Sequence, residues 1–222
     1  MDGNADIGQT LKDEEIPMGN ITIGVLALQG AFAKHLDMLT RCGVNAIAVR
    51  FASEIDAIDG LIIPGGESTT VGKLMARYGI DTKIIERARE GMPVFGTCTG
   101  MILLSREIVG SDQHRLGLMD ISVLRNAFGR QVDSFESDLM INGIDGGPFR
   151  AVFIRAPYAV ESGGCTETLA SCEGNPVLLK EGTLLGCSFH PELTDDTRLH
   201  MLFIDLVRDY AGASKRGCNH EI

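Results

Sequence analysis

The stretch GMPVFGTCTGMILL, residues 91–104, changes character at its centre. The short apolar run before Cys98 reads as a buried strand, and MILLSREI after it reads as a helix. Gly96 and Gly100 flank the junction. A Gly-x-Cys-x-Gly turn between a strand and a helix has the form of a nucleophile elbow, with cysteine in place of the more familiar serine. Such a turn lifts its central side chain above a sheet, needs small neighbours, and sets the side chain at a helix N-terminus that favours negative charge. The pentapeptide alone is equally compatible with a buried thiol at a glycine turn.

The pattern continues in both directions. ITIGVLAL, residues 21–28, AIAVR, and IDGLIIPGG read as buried strands. Phe32, Leu36 and Leu39 recur at helical spacing, with Gly43 as a C-terminal cap. Val71, Leu74, Met75 and Tyr78 mark a second helix, and Asp81 is placed to cap a third that stops near Gly91. Strands alternating with helices predict an α/β fold of three layers, a mostly parallel sheet with helices on both faces. The second half is richer in short strands: ISVL, RAVFIRA, NPVLLKE and TLLGCSF. A last helix carries Leu199, Leu202, Phe203, Leu206, Val207 and Tyr210 on one stripe, with Thr194 as its cap.

The 222 residues suit one domain with a core of its own. Residues 1–20 read as a flexible acidic extension, 21–212 as the domain, and 213–222 as a loose tail. A net charge of −10 argues against nucleic-acid binding and against docking on an anionic membrane. No run approaches the roughly 18 apolar residues of a membrane span, and the polar start lacks the pattern of a signal or transit peptide. A cytoplasmic setting is the expectation. The six cysteines include no CxxC pair and no histidine at metal spacing, so neither a disulfide framework nor a metal site is expected.

Three motifs fall at the carboxyl ends of strands, where an open α/β sheet binds its ligands. The first is the elbow at Cys98, with the N–H of Thr99 directed where an oxyanion would form. The second is SFHPEL, in which His190 and Glu192 are two apart. On an extended segment both would face one side, so Glu192 could orient an imidazole that takes the thiol proton. A structural histidine is the plainer alternative. The third is PGGES, residues 64–68, whose glycines allow a backbone N–H, that of Gly66, to act as a second oxyanion donor. Read by itself it is an ordinary turn, and Glu67 and Ser68 a helix start.

Taken together, GTCTG, SFHPEL and PGGES resemble the class I (triad) glutamine amidotransferases. IGVLALQGAFAKH, LIIPGGESTTVGKL, GMPVFGTCTGMILL, RNAFGRQVDSFE, FIRAP and SFHPELTDD narrow the resemblance to the glutaminase subunits of pyridoxal 5'-phosphate synthase, over roughly residues 21–212. The resemblance implies a flavodoxin-like architecture and hydrolysis of L-glutamine to L-glutamate and ammonia through a cysteinyl thioester. It implies Cys98 as nucleophile, His190 as base and acid, Glu192 as its orienter, and the backbone of Gly66 and Thr99 as the oxyanion hole. Glutamine contacts fall on Gly66, Glu67, Ser68, Arg125, Ile154 and Arg155. Arg125 and Glu67 suit the carboxylate and ammonium of a free amino acid. Gln29 is implied near the site, at an interface or gate.

No cofactor is implied. The partner implied is the synthase subunit that makes pyridoxal 5'-phosphate and receives the ammonia, in a large hetero-oligomer. At Thr99 the family pattern leads one to expect alanine. Threonine retains the N–H but adds a β-branch that could strain the turn or crowd the pocket. A glutaminase serving another synthase and a cysteine hydrolase of the same broad fold are the alternatives.

Overall fold

The computed structural model of the protein describes residues 21–127 and 134–217, with side chains as far as residue 213. The expected acidic extension, residues 1–20, lies outside the described residues, as do 128–133 and 218–222. In chain order the first half runs β1 (Thr22–Leu26), α1 (Phe32–Arg41), β2 (Asn45–Val49), β3 (Gly60–Ile63), α2 (Ser68–Tyr78), α3 (Ile80–Arg89), β4 (Val94–Thr97) and α4 (Thr99–Leu104). The second half runs β5 (Ser105–Ile108), β6 (Met119–Leu124), β7 (Ser134–Leu139), β8 (Phe149–Ile154), β9 (Tyr158–Ser162), β10 (Glu167–Cys172), β11 (Asn175–Glu181), β12 (Leu184–Cys187) and α5 (Arg198–Gly217).

The central sheet has seven strands in the order β10-β11-β12-β4-β3-β1-β2. The pairs β2–β1, β1–β3, β3–β4 and β4–β12 are parallel, while β11 and β10 extend the sheet antiparallel. Counted along the chain, the parallel strands lie in the order 2-1-3-4-5, the flavodoxin-like arrangement. Every residue of β3 and β4 is buried, as parallel strands covered on both faces require. On one face Leu39 of α1 and Phe203 and Val207 of α5 join Val25 and Phe95 in a core that the β7–β8 hairpin also covers through Phe149 and Phe153. The Phe95 and Phe203 rings lie 5.5 Å apart. Burying one such side chain stabilises by about 1.5–3 kcal/mol. On the other face Val71, Ile84 and Leu103 of α2, α3 and α4 pack with Leu61 and Val94, and the small sheet β5-β6-β9 adds Ile108, Ile121 and Ala159. Among the described residues no helix is long and apolar enough to cross a membrane.

Local expectations differ from the structure in five places. MILLSREI is not one helix: α4 stops at Leu104, and residues 105–108 form β5. Ser105 turns extended (φ −61°, ψ 148°), its hydroxyl donating back to Ile102 O at 2.8 Å. Serine's local bonding to the backbone competes with helix continuation. The N-cap of α3 is Gly79 (φ 65°), not Asp81, which lies in the first turn with its carboxylate 2.9 Å from His114 Nε2. Tyr78 departs from the expected stripe of α2 and is 54% exposed. Thr194 does not cap α5; Asp196 Oδ1 accepts from Arg198 N at 3.0 Å, and Thr194 Oγ1 accepts from Asp196 N instead. Finally, α5 continues through 213–217, where a loose tail is expected. The one glycine at 212 costs a helix only about 1 kcal/mol, too little to end one anchored by the stripe from Leu199 to Val207.

Candidate active site

The carboxyl ends of β1, β3, β4 and β12 lead into the segments that carry Gln29, Gly66, Cys98 and His190. The elbow is built by close packing. A Cβ at Gly100 would lie 2.1 Å from Ile63 O, and one at Gly96 would lie 2.4 Å from the Gly100 carbonyl carbon. Only glycines let α4 start this near β3. Cys98 itself is forced to φ 49°, ψ −100°, a strained conformation that costs on the order of 1–3 kcal/mol and collects at functional sites. Among the described residues four non-glycines have positive φ, and three of them, Cys98 (49°), Asn126 (49°) and Arg155 (43°), line the same cavity.

His190 and Glu192 meet, but not along an extended segment. Residues 191–193 form a single 3-10 turn begun by Pro191, which swings Glu192 back under the imidazole. His190 Nδ1 and Glu192 Oε1 are 2.8 Å apart. His190 N donates to Val152 O, which fixes the loop against β8. Both side chains are buried. Burial disfavours a charged imidazole, yet hydrogen bonds to the Cys98 sulfur and to Glu192 outweigh it and push His190 up to about 10. Glu192 is lowered: burial raises it, and the hydrogen bond to His190, with the polar surroundings of His35 and His190, more than offsets that. The arrangement holds a proton on the imidazole between a sulfur and a carboxylate.

The PGGES loop lies directly over this pair. A Cβ at Gly65 would come 2.4 Å from His190 Cε1, so any side chain there displaces the ring. The peptide joining Gly66 to Glu67 is held at both ends: Thr99 Oγ1 donates to Gly66 O at 2.6 Å, and Glu67 N donates to Gln29 Oε1 at 2.7 Å. The β-branch at Thr99 is therefore accommodated, and its hydroxyl ties α4 to the loop. The first helical hydrogen bond of α4 runs from Ile102 N to Cys98 O, so the Thr99 N–H has no partner within the helix. Glu67 fills two of the roles weighed from sequence. It is the N-cap of α2, accepting from Thr69 N, Thr70 N and Thr70 Oγ1, and it lines the cavity. Those bonds, the one from the Thr70 hydroxyl foremost, hold its carboxyl down at about 2.

Two adjoining spaces share Gly66, Glu67, Cys98, Ile154 and Arg155. One, of about 100 Å³, also reaches Ser68, Thr99, Arg125 and Asn126. The other, of about 270 Å³, also reaches Gln29, Gly65 and His190. The Cys98 thiol lies 3.9 Å from Ile154 O at their junction. Every residue singled out from the sequence thus borders one space or the other, apart from Glu192 beneath His190.

Sequence reading missed three neighbours. Gln113 Oε1 receives Arg125 at 2.6 Å, Thr69 Oγ1 at 3.2 Å and Ser68 Oγ at 3.3 Å, so it positions the arginine. It lies between β5 and β6 and carries no periodic signal. His35 and His200 are both fully buried behind Glu192. Their signal was present: His35 falls between Phe32 and Leu39, and His200 between Leu199 and Phe203, each on an apolar stripe.

Comparison with known proteins shows the family of the chain. Residues 25–209 match the model of the SNO glutamine amidotransferase family. The chain is 54% identical over 183 residues to a pyridoxal 5'-phosphate synthase subunit PdxT of Pelotomaculum thermopropionicum, covering 82% of this chain and 93% of that one. It is 50% identical over 186 residues to the PdxT subunit of Thermotoga petrophila, covering 84% and 99%. A solved structure titled as a glutamine amidotransferase is 50% identical, with a TM-score of 0.80 over 83% of this chain and 98% of that one.

Proposed function

The chain belongs to the SNO glutamine amidotransferase family, and from that premise we propose that it hydrolyses L-glutamine to L-glutamate and ammonia, as the glutaminase subunit of a pyridoxal 5'-phosphate synthase. Its relatives are named as subunits of that synthase. A synthase subunit that takes up the ammonia is therefore the proposed partner, in a hetero-oligomer, and a cytoplasmic setting goes with that role.

Arg125 receives the substrate carboxylate and Glu67 its ammonium, with Ser68, Ile154 and Arg155 completing the pocket. With the proton already held on His190, the Cys98 sulfur attacks the side-chain amide carbon of glutamine. Charge gathers on the amide oxygen, which the N–H groups of Gly66 and Thr99 meet. The tetrahedral adduct collapses, the C–N bond breaks, and the proton on His190 leaves with ammonia. A water then attacks the thioester and gives its proton to His190, the C–S bond breaks with its electron pair on Cys98, and glutamate departs as the resting pair is restored. Glu192 keeps the imidazole oriented throughout. Gln29, which holds the oxyanion loop from the outer space, acts as the gate.

The observation that supports this reading most directly is the strained Cys98 elbow in one cavity with His190, whose ring is backed by the buried Glu192 at 2.8 Å. The test measures glutamate release by the chain alone, by the chain with its synthase subunit, and by Cys98→Ala with that subunit. Release is expected to rise on adding the partner and to fall by roughly a thousandfold or more in the variant. No release with a competent partner would sink the reading.

A further inference from the structure

Glu192 has two carboxylate oxygens, and His190 uses only Oε1. Oε2 is buried and accepts no well-aligned hydrogen bond; its near polar neighbour is His35 Nε2 at 3.3 Å. The same nitrogen lies 3.2 Å from Thr97 Oγ1, on the strand that ends at the elbow. On the far side of the ring, His35 Nδ1 is 3.0 Å from His200 Nε2. His200 Nδ1 is buried without a partner. Glu192, His35 and His200 thus form a continuous polar line from the candidate site through α1 to α5, in an otherwise apolar core.

Proton placement along this line is decided by elimination. His35 and His200 are both lowered by burial, the first despite the charge of Glu192, so both rings are neutral. A neutral imidazole carries one N–H. If His35 bore it on Nδ1, a bare Nε2 would face a buried carboxylate oxygen with no donor near it, an arrangement that is strongly unfavourable. His200 would then place either a bare nitrogen or an unpaired N–H at the far end. With the proton on His35 Nε2, that N–H bonds Thr97 Oγ1 and also faces Glu192 Oε2 at 3.3 Å. His200 then donates Nε2–H to His35 Nδ1, and what stays unpaired is a ring lone pair. An orphaned acceptor is the commoner and cheaper kind of orphan.

We propose that His35 is a positioning residue of the glutaminase centre: its Nε2–H holds the outer oxygen of Glu192 so that the inner one stays on His190, and His200 fixes the His35 tautomer that makes this possible. The proposal rests on the reading of Cys98, His190 and Glu192 given above. Two donors on one carboxylate restrict its rotation and spread its charge, which keeps the mobile proton on His190. The ionisable groups that face Glu192 are His190 on its own loop and His35 from α1. The thiols of Cys98 and Cys187 lie beyond the imidazole and beneath the loop, and His200 of α5 lies behind His35.

Two measurements test this. The first is the ring-nitrogen NMR of the wild-type chain labelled at histidine, with the His35 signals assigned by their loss in His35→Gln. A protonated Nε2 and a bare Nδ1 are expected; an Nδ1–H tautomer overturns the proposal, whatever the glutaminase assay gives. The second compares glutamine hydrolysis by variants with the synthase subunit present. His35→Leu, which removes the donor, is expected to lower kcat by about 10- to 100-fold with KM within about twofold. It should also move the acidic limb of kcat/KM to higher pH, because a carboxylate with one donor fewer protonates more readily. His35→Gln, whose amide nitrogen reaches toward Glu192, should recover most of the loss. A folded leucine variant with wild-type kcat and pH profile overturns the proposal. If that variant does not fold, the tautomer of the wild-type ring decides alone. Full release by Cys98→Ala would instead strike at the glutaminase reading, so the two failures are distinct.

Discussion

A hydroxyl at position 99 changes what the elbow is attached to. The N–H proposed to meet an oxyanion belongs to the same residue whose Oγ1 donates to Gly66 O at 2.6 Å. One side chain therefore couples the two halves of the proposed oxyanion hole. Alanine there would leave the Gly66 carbonyl without this donor, and because Gly66 is exposed to water the loss costs about 0.5–1.5 kcal/mol. Thr99→Ala is expected to lower unfolding free energy by that amount in urea titration. It should also lower kcat for glutamine by roughly two- to tenfold, since the loop loses one of its two ties. Thr99→Ser, which keeps the hydroxyl, should retain both. Identical kinetics in the alanine variant would mean that the loop does not depend on this bond. Glu67 shows a similar economy: the bonds that cap α2 also keep its carboxylate ionised at the mouth of the cavity.

Among the elements, α5 departs most instructively from expectation. It passes through Gly212 without a break and is helical to the last described residue, Gly217. Gly212→Ala should therefore raise stability by about 0.5–1 kcal/mol, as in any helix interior. Urea unfolding that showed no gain would argue that the chain frays at 212. The legibility of the other elements follows their burial. The strands β1, β3 and β4 are covered on both faces and read as apolar runs. By contrast β7, SFESDL, is mostly half-covered or open, and β9 and β10 are largely polar at their ends. Such strands are specified by their partners across the ladder and not by composition. In the site, Cys98, the PGG loop and His190–Glu192 were legible because strained turns restrict residue type. The sequence signal for His35 and His200 was only a polar residue on an apolar stripe, and Gln113 acts through a loop whose path no local pattern encodes. The geometry behind the His-Pro-Glu motif was misread: proline begins a 3-10 turn where alternation was assumed.

For the molecule as a whole, the buried imidazoles set a pH optimum of stability. His35 and His200 have lowered values when folded, whereas unfolded they return to about 6.5. Below that pH the unfolded chain binds protons that the folded chain refuses, so stability falls as pH falls, by up to about 1.4 kcal/mol per unit for each ring. His190 has the opposite sign. Raised to about 10, it stabilises fully below 6.5 and loses that contribution as pH rises toward 10. The melting temperature is expected to peak near pH 6.5–7 and to decline on the acid side well before ordinary carboxylates titrate. His200→Gln should flatten the acid limb, and a decline that begins only near pH 4 would contradict the assignment. The line of contacts from Thr97 and His35 to Glu192 and His200 also has a temporal meaning. A chain still emerging from the ribosome has made its nucleophile long before the histidine, the carboxylate and the helix that backs them. The candidate centre cannot close until α5 is free of the exit tunnel, so a chain stopped before that helix is expected to consume no glutamine.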